Sequence, residues 1–244
     1  MLQSKFLKNE TMFAASKTTK LFCENRILLR RWKSGQIEVE IKFRFDGTQE
    51  NKIAQLAKFK KQQIFTDQYF DNTKYDLSKN DVWLRKRYTP TLALLISFRD
   101  TMYECKVPLI DSHKKTDQYK ELTAPTDITQ FLSSFPFSEP ILIPNTTTLF
   151  DAFLKQINLV PVATITTTRK KYQYNEFSID LDSTDLGYSV GEVELVVETP
   201  EQANEASDRI LQFCKSLNLD TKGPIYGKVL HYIQVKPTDM KYSL

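Results

Sequence analysis

The chain has 244 residues, 41% hydrophobic and 26% charged, with a formal net charge of +4, which suits one or two globular domains with an ample core. No apolar run reaches the roughly 18 residues of a membrane-crossing helix, and six glycines argue against low complexity. Cys23, Cys105 and Cys214 are scattered, as reduced thiols are, and His113 and His231 stand far apart, which disfavours a histidine zinc site or a Ser-His-Asp triad.

The charge is uneven. Residues 1–35 hold eight Lys/Arg and two Glu, a net of +6, while the rest holds 26 basic and 28 acidic residues, a net of −2. A body of that balance gives no reason to expect nucleic acid as a partner. The basic head, with Ser, Thr and apolar residues between its cations, resembles a mitochondrial presequence, although Glu10 and Glu24 are atypical; the plainer reading is an N-terminal extension. Reduced thiols fit the cytoplasm, and cleavage of residues 1–35 would make the protein mitochondrial instead. Met12 is a second candidate start.

In "GQIEVEIKFRF", Ile37, Val39, Ile41, Phe43 and Phe45 alternate with Glu38, Glu40, Lys42 and Arg44, the period of a β-strand. Asp46-Gly47 reads as a turn, and Thr48 as the cap of a helix through about Phe65, with Ile53, Leu56 and Ile64 as apolar positions. "TDQYFD" reads as a strand, "NTKYDLSKND" as a loop, and "VWLRKRY", "LALLISFR", "MYECKVPL" and "DQYKELT" as strands. Helices are expected from Thr126 to Phe135 and from Thr147 to Leu159, the second with Leu149, Phe150, Phe153, Leu154 and Ile157 as its buried stripe. The strands "VATITTTRKKYQY", "FSIDLD" and "GYSVGEVELVVE" follow. Thr199-Pro200 opens a helix to about Leu217, and a last helix spans about Ile225 to Val235. About eight hairpin-like strands with a few helices predict an α+β protein on an antiparallel sheet or barrel.

The charged face recurs. Trp83, Arg85 and Arg87 share one face of their strand, as do Glu104 and Lys106, Asp180 and Asp182, Glu192 and Glu194, and Arg169 and Lys171. For any single strand a solvated exterior is the simpler reading. Two features favour a polar lumen instead. The charges are sorted by strand, and the opposite faces are apolar as though covered by helices; a closed barrel with a ligand-filled interior explains both. Carboxylates about 7 Å apart along a strand can converge on a hard cation, and Mg²⁺ shares such ligands with phosphates. Arginine forks match phosphate oxygens. The combination suggests a metal–polyphosphate complex. A pure anion binder would gain little from inward carboxylates, which repel phosphate unless a metal intervenes.

"IEVEIKF" fits the Glu-x-Glu-x-Lys signature of the CYTH, or triphosphate tunnel metalloenzyme, superfamily, and "WLRKR", "ECKVP", "YKELT", "TTTRKKY", "IDLDSTDLGYSVGEVELVV" and "GKVLHYI" resemble the ordered motifs of its thiamine triphosphatases. The resemblance runs from about Ile37 to Val235 and implies an eight-stranded antiparallel β-barrel, the triphosphate tunnel, with surrounding helices. It implies residues 36–240 as the tunnel domain, with residues 1–35 outside it. It implies Mg²⁺ as cofactor, held by Glu38, Glu40, Asp180, Glu192 and Glu194. It implies triphosphate contacts from Lys42, Arg85, Arg87, Lys106, Arg169 and Lys228, with Asp180 and Glu192 also facing the substrate and Glu121 and Asp182 supporting. Glu38, Glu40 and Lys42 would be the catalytic residues, and Trp83 would stack on the pyrimidine of thiamine, although a Trp anchoring the barrel end is the alternative. The implied reaction is hydrolysis of thiamine triphosphate to thiamine diphosphate and phosphate by a monomer, without a phospho-enzyme and with a neutral-to-alkaline optimum. An inorganic tripolyphosphatase or a cyclase on the same tunnel would share the acids and cations; the tryptophan of "WLRKR" and the run through "DLGYSVGEVE" favour the thiamine branch. The N-terminal extension is a departure from the family.

Overall fold

The computed structural model describes residues 36–90, 100–109, 116–141 and 149–235; the expected extension 1–35, the whole "LALLISFR" strand, and Thr147 and Thr148 of the helix expected from Thr147 lie outside them. Leu149, expected in the buried stripe of that helix, is instead exposed and extended, standing just before its first turn. Eight strands run β1 Ile37–Phe43, β2 Lys58–Asp71, β3 Trp83–Thr89, β4 Asp100–Pro108, β5 Asp117–Leu122, β6 Val160–Tyr174, β7 Phe177–Thr184 and β8 Ser189–Val197. They close into an antiparallel barrel in the order β1-β5-β4-β3-β2-β6-β7-β8. The helices are α1 Gly47–Leu56, α2 Pro125–Ser134, α3 Phe150–Gln156, α4 Pro200–Ser216 and α5 Lys228–Val235. No helix among the described residues is long and apolar enough to cross a membrane.

The barrel is apolar outside and charged inside. Val39, Phe43, Ile179, Val193 and Leu195, on the outer faces of β1, β7 and β8, pack with Ile210 and Phe213 of α4 and Ile53 of α1. Leu84, Cys105, Val107 and Leu122, on β3–β5, pack with Ile128, Phe131 and Leu132 of α2 and Phe153 and Leu154 of α3. Period-2 strands therefore turn their alternate, charged residues into the lumen. The start of α4 is as expected: Pro200 stands in its first turn, and Thr199 forms a capping box with Gln202.

Two local readings are corrected. The cap of α1 is Asp46, whose carboxylate accepts from the Thr48 and Gln49 amides; Thr48 is already helical. The helix ends at Leu56, and Lys58–Asp71 is a strand. The Lys- and Gln-rich "KFKKQQIF" has straight-chain residues of good helix propensity, but its backbone is taken by β6 from Lys58↔Gln173 to Asp71↔Val160. Leu56 and Ile64, expected as buried helix positions, are exposed, and Phe65 is buried on the lumen side, beneath the Arg87 guanidinium.

Candidate active site

Register brings the expected residues into one chamber. β1 lies between β8 and β5, with Glu40 opposite Glu194 and Lys42 opposite Glu192. β3 pairs Arg85 with Glu104 and Trp83 with Lys106 on β4, and β7 carries Asp180 and Asp182 beside Lys171 and Arg169 of β6.

Three clusters of ion pairs line the wall. In the first, Lys106 Nζ meets Glu38 and lies 2.8 Å from Glu40 Oε2, while Lys42 Nζ lies 2.5 Å from Glu40 Oε1 and 2.9 Å from Asp117 Oδ2. In the second, Asp67 receives a fork from Arg87 at 2.7 and 2.8 Å, and Glu104 receives Arg85 Nε at 2.6 Å; Glu121 stands 4.0 Å from Arg85. In the third, Arg169 donates to both oxygens of Asp182 at 2.6 and 2.7 Å, reaches Asp180 at 2.5 Å and Glu192 at 3.5 Å, and Lys228 of α5 donates to Asp182. The Phe65 ring lies beneath the Arg87 guanidinium at 3.9 Å, with Arg169 and Lys228 each 5.4 Å from its centroid.

These environments split the carboxylates. Glu40 is driven well below its ordinary range because Lys106 and Lys42 outweigh its burial. Asp182 is lowered likewise, by Arg169 and Lys228. Glu38 is pushed up to about 8, by burial first and by Glu40 and Glu194, against the pull of Lys106. Glu194 is also raised, chiefly by burial. Lys42, Asp81, Trp83, Asp117 and Tyr119 line a cavity of about 240 Å³ that Tyr226 and Gly227, just before α5, and Lys228, its first residue, also line.

The donor set suits a hard cation. Its ligands are carboxylate oxygens, and Glu38 Oε2 and Asp180 Oδ1 are buried with ion-pair partners but no aligned hydrogen bond. Glu38 and Glu194, both raised, are where positive charge would be most welcome. Among the described residues no three carboxylates are already gathered as metal ligands; Glu38, Glu40, Asp180 and Glu192 are each paired with a cation that a phosphate chain could take over. All the expected residues on β1, β3, β4, β6, β7, β8 and α5 face this wall or its mouths. Sequence reasoning passed over Phe65, Asp67, Asp81, Asp117 and Tyr119. The i, i+2 spacing in "FTDQY" and "DQYKE" carried a signal for four of them; Asp81, in the loop before β3, carried none.

A CYTH domain model matches residues 36–224. The chain is 27% identical over 225 residues to a human thiamine-triphosphatase, covering 86% of this chain and 90% of the relative. It is 26% identical over 214 residues to the thiamine-triphosphatase of Macaca fascicularis, covering 82% and 85%. Among solved structures a Pyrococcus horikoshii protein matches with a TM-score of 0.57 at 21% identity, over 80% of this chain and 99% of that one, a likeness of fold.

Proposed function

The chain belongs to the CYTH domain family, and from that membership we infer that it is a metal-dependent triphosphate hydrolase whose substrate is thiamine triphosphate. One observation carries the reading: Lys42, Arg85, Arg87, Lys106, Arg169 and Lys228 converge on one barrel lumen that carboxylates share. Six cations suit a polyanion, and the interleaved acids suit a cation that travels with it. The names of the two mammalian relatives supply the thiamine head, and Trp83 at the mouth supplies a π face for it.

Glu38, Glu40, Asp180, Glu192 and Glu194 would hold Mg²⁺, which would neutralise phosphate charge during the transfer. The chain's own part is positioning. Lys42 and Lys106 exchange Glu40 for phosphate oxygens, Arg85 and Arg87 present guanidinium forks, and Arg169 and Lys228, around the same Phe65 ring as Arg87, add further cations to the phosphate chain. Glu121, beside Arg85, and Asp182, beneath Arg169 and Lys228, keep those cations aimed. A lumen carboxylate orients the attacking water in line with the leaving diphosphate. We place the tunnel domain at residues 36–240, with residues 1–35 outside it.

The test is Mg²⁺-dependent phosphate release from thiamine triphosphate, tripolyphosphate and ATP, side by side. Thiamine triphosphate should lead, chelation should abolish release, and Glu38→Ala should cost about 10²-fold or more in kcat. Full Mg²⁺-dependent activity in Glu38→Ala would overturn the site assignment. Faster turnover of tripolyphosphate would leave a general triphosphatase, the second reading, which the phosphate-directed cations of the lumen also fit.

A further inference from the structure

One carboxylate at the tunnel mouth is left over from the phosphate chemistry. Asp81 stands just before β3 with φ at +58°, in the left-handed region that Asp and Asn enter more readily than other non-glycine residues. Its Oδ1 accepts from Trp83 Nε1 at 2.9 Å and from the Tyr119 hydroxyl at 2.9 Å. Those donors belong to β3 and β5, so one oxygen ties two strands across β4 and fixes the planes of an indole and a phenol. The phenol stays a donor: burial, then Asp117 and Asp81, raise Tyr119 well above its ordinary range.

The charge of Asp81 is the second clue. It lines the same cavity as Trp83, Tyr69, Tyr119 and Tyr226, which Lys42, Arg85, Lys106, Arg169 and Lys228 also line, so π faces and a carboxylate share one chamber with the cations. A carboxylate there repels a bare triphosphate, and a cation against aromatic faces gains from both charge and quadrupole. We propose that Asp81 determines specificity: it orients Trp83 and Tyr119 and selects triphosphates whose organic head is a cationic heterocycle over neutral-headed or headless ones. The proposal rests on the thiamine reading above and names the residue that enforces it.

The experiment measures kcat/KM for thiamine triphosphate, cytidine triphosphate (an aminopyrimidine head without the positive charge) and tripolyphosphate in the wild type and Asp81→Asn. Asparagine tolerates the backbone conformation and keeps an acceptor for the Trp83 and Tyr119 donors, so the negative charge is lost while those two bonds can remain. The expected result is a roughly tenfold fall for thiamine triphosphate, mostly as a higher KM, with cytidine triphosphate and tripolyphosphate unchanged or improved. No change in any substrate, or an equal fall in all three, overturns the proposal; the equal fall is what a merely structural role gives. In the wild type, cytidine triphosphate turned over as well as thiamine triphosphate overturns it too, without reference to a variant. If the wild type favours tripolyphosphate, the substrate reading fails, and Asp81 is then judged by quenching of tryptophan fluorescence by thiamine, a cationic head with no phosphate. A roughly tenfold weaker quenching in Asp81→Asn supports the role, and equal quenching overturns it.

Discussion

Asp67 is 1% exposed and holds the Arg87 fork while Arg85 stands 3.6 Å away. Removing such a partner leaves guanidinium charge buried without compensation, which costs about 3–5 kcal/mol. Asp67→Ala should therefore melt about 10 °C lower, and saturating tripolyphosphate should raise its midpoint more than it raises the wild type's, because the anion supplies the missing counter-charge. Equal shifts in thermal melts with and without tripolyphosphate would show that the arginines do not face the anion site. The residue also shows how far the sequence reaches. Alternation says which side chains share a face, and so Glu38, Lys42, Arg85 and Arg169 were legible as one chamber. It does not say which acid meets which cation, because pairing depends on strand order and register, and Asp67 finds Arg87 across a hairpin rather than along a strand.

Elements were legible where their periodicity was strong and unclear where propensity competed with pairing. α4 follows from Thr199, Pro200 and the stripe through Ile210, Phe213 and Cys214. The first half of β2 did not, because its side chains suit a helix and its partner β6 lies about a hundred residues away, as the Thr66–Thr166 hydroxyl contact shows. Close packing sets a further constraint that no pattern reveals. A Cβ on Gly191 of β8 would stand 2.2 Å from Cζ of Phe43 on β1, so Gly191→Ala should cost about 1–3 kcal/mol from overpacking. Adding Phe43→Leu should recover part of that loss; a double-mutant cycle in denaturant showing simple additivity would contradict the contact. The loop after β2 depends on a different force. Asp76 Oδ2 accepts from Asn72 Nδ2 at 2.7 Å and from the amide and hydroxyl of Ser138, both at 2.8 Å. Although burial opposes it, these bonds hold the carboxyl below its ordinary 3.8. A depressed carboxyl adds stability above its unfolded pKa and loses it as pH falls through the folded value. Asp76→Ala should cost about 1–3 kcal/mol at pH 7, and its midpoint should converge on the wild type's as pH drops below about 4. A gap that stays constant down to pH 2 would contradict this.

At the scale of the molecule, sorting charges by strand makes sense once the sheet closes. Acids on β1, β7 and β8 and cations on β3, β4 and β6 interleave around one lumen, and the apolar faces left outside take the helices. Closure itself was anticipated from that sorting, whereas the packing of α5 against the mouth was not, since its one inward charge, Lys228, finds Asp182 only in three dimensions. The position of β1 has a consequence for how the chain acquires its activity. The first described strand bonds to β5 on one side and to β8, the last described strand, on the other. Such distant pairing is slow to form, and during synthesis β1 must wait for nearly the whole polypeptide before its second edge is covered. Glu38, Glu40 and Lys42 therefore join the β8 carboxylates in the closing step. A ribosome-bound chain ending before β8 would hold the arginines and no complete chamber, so competence arrives all at once, at the end of folding.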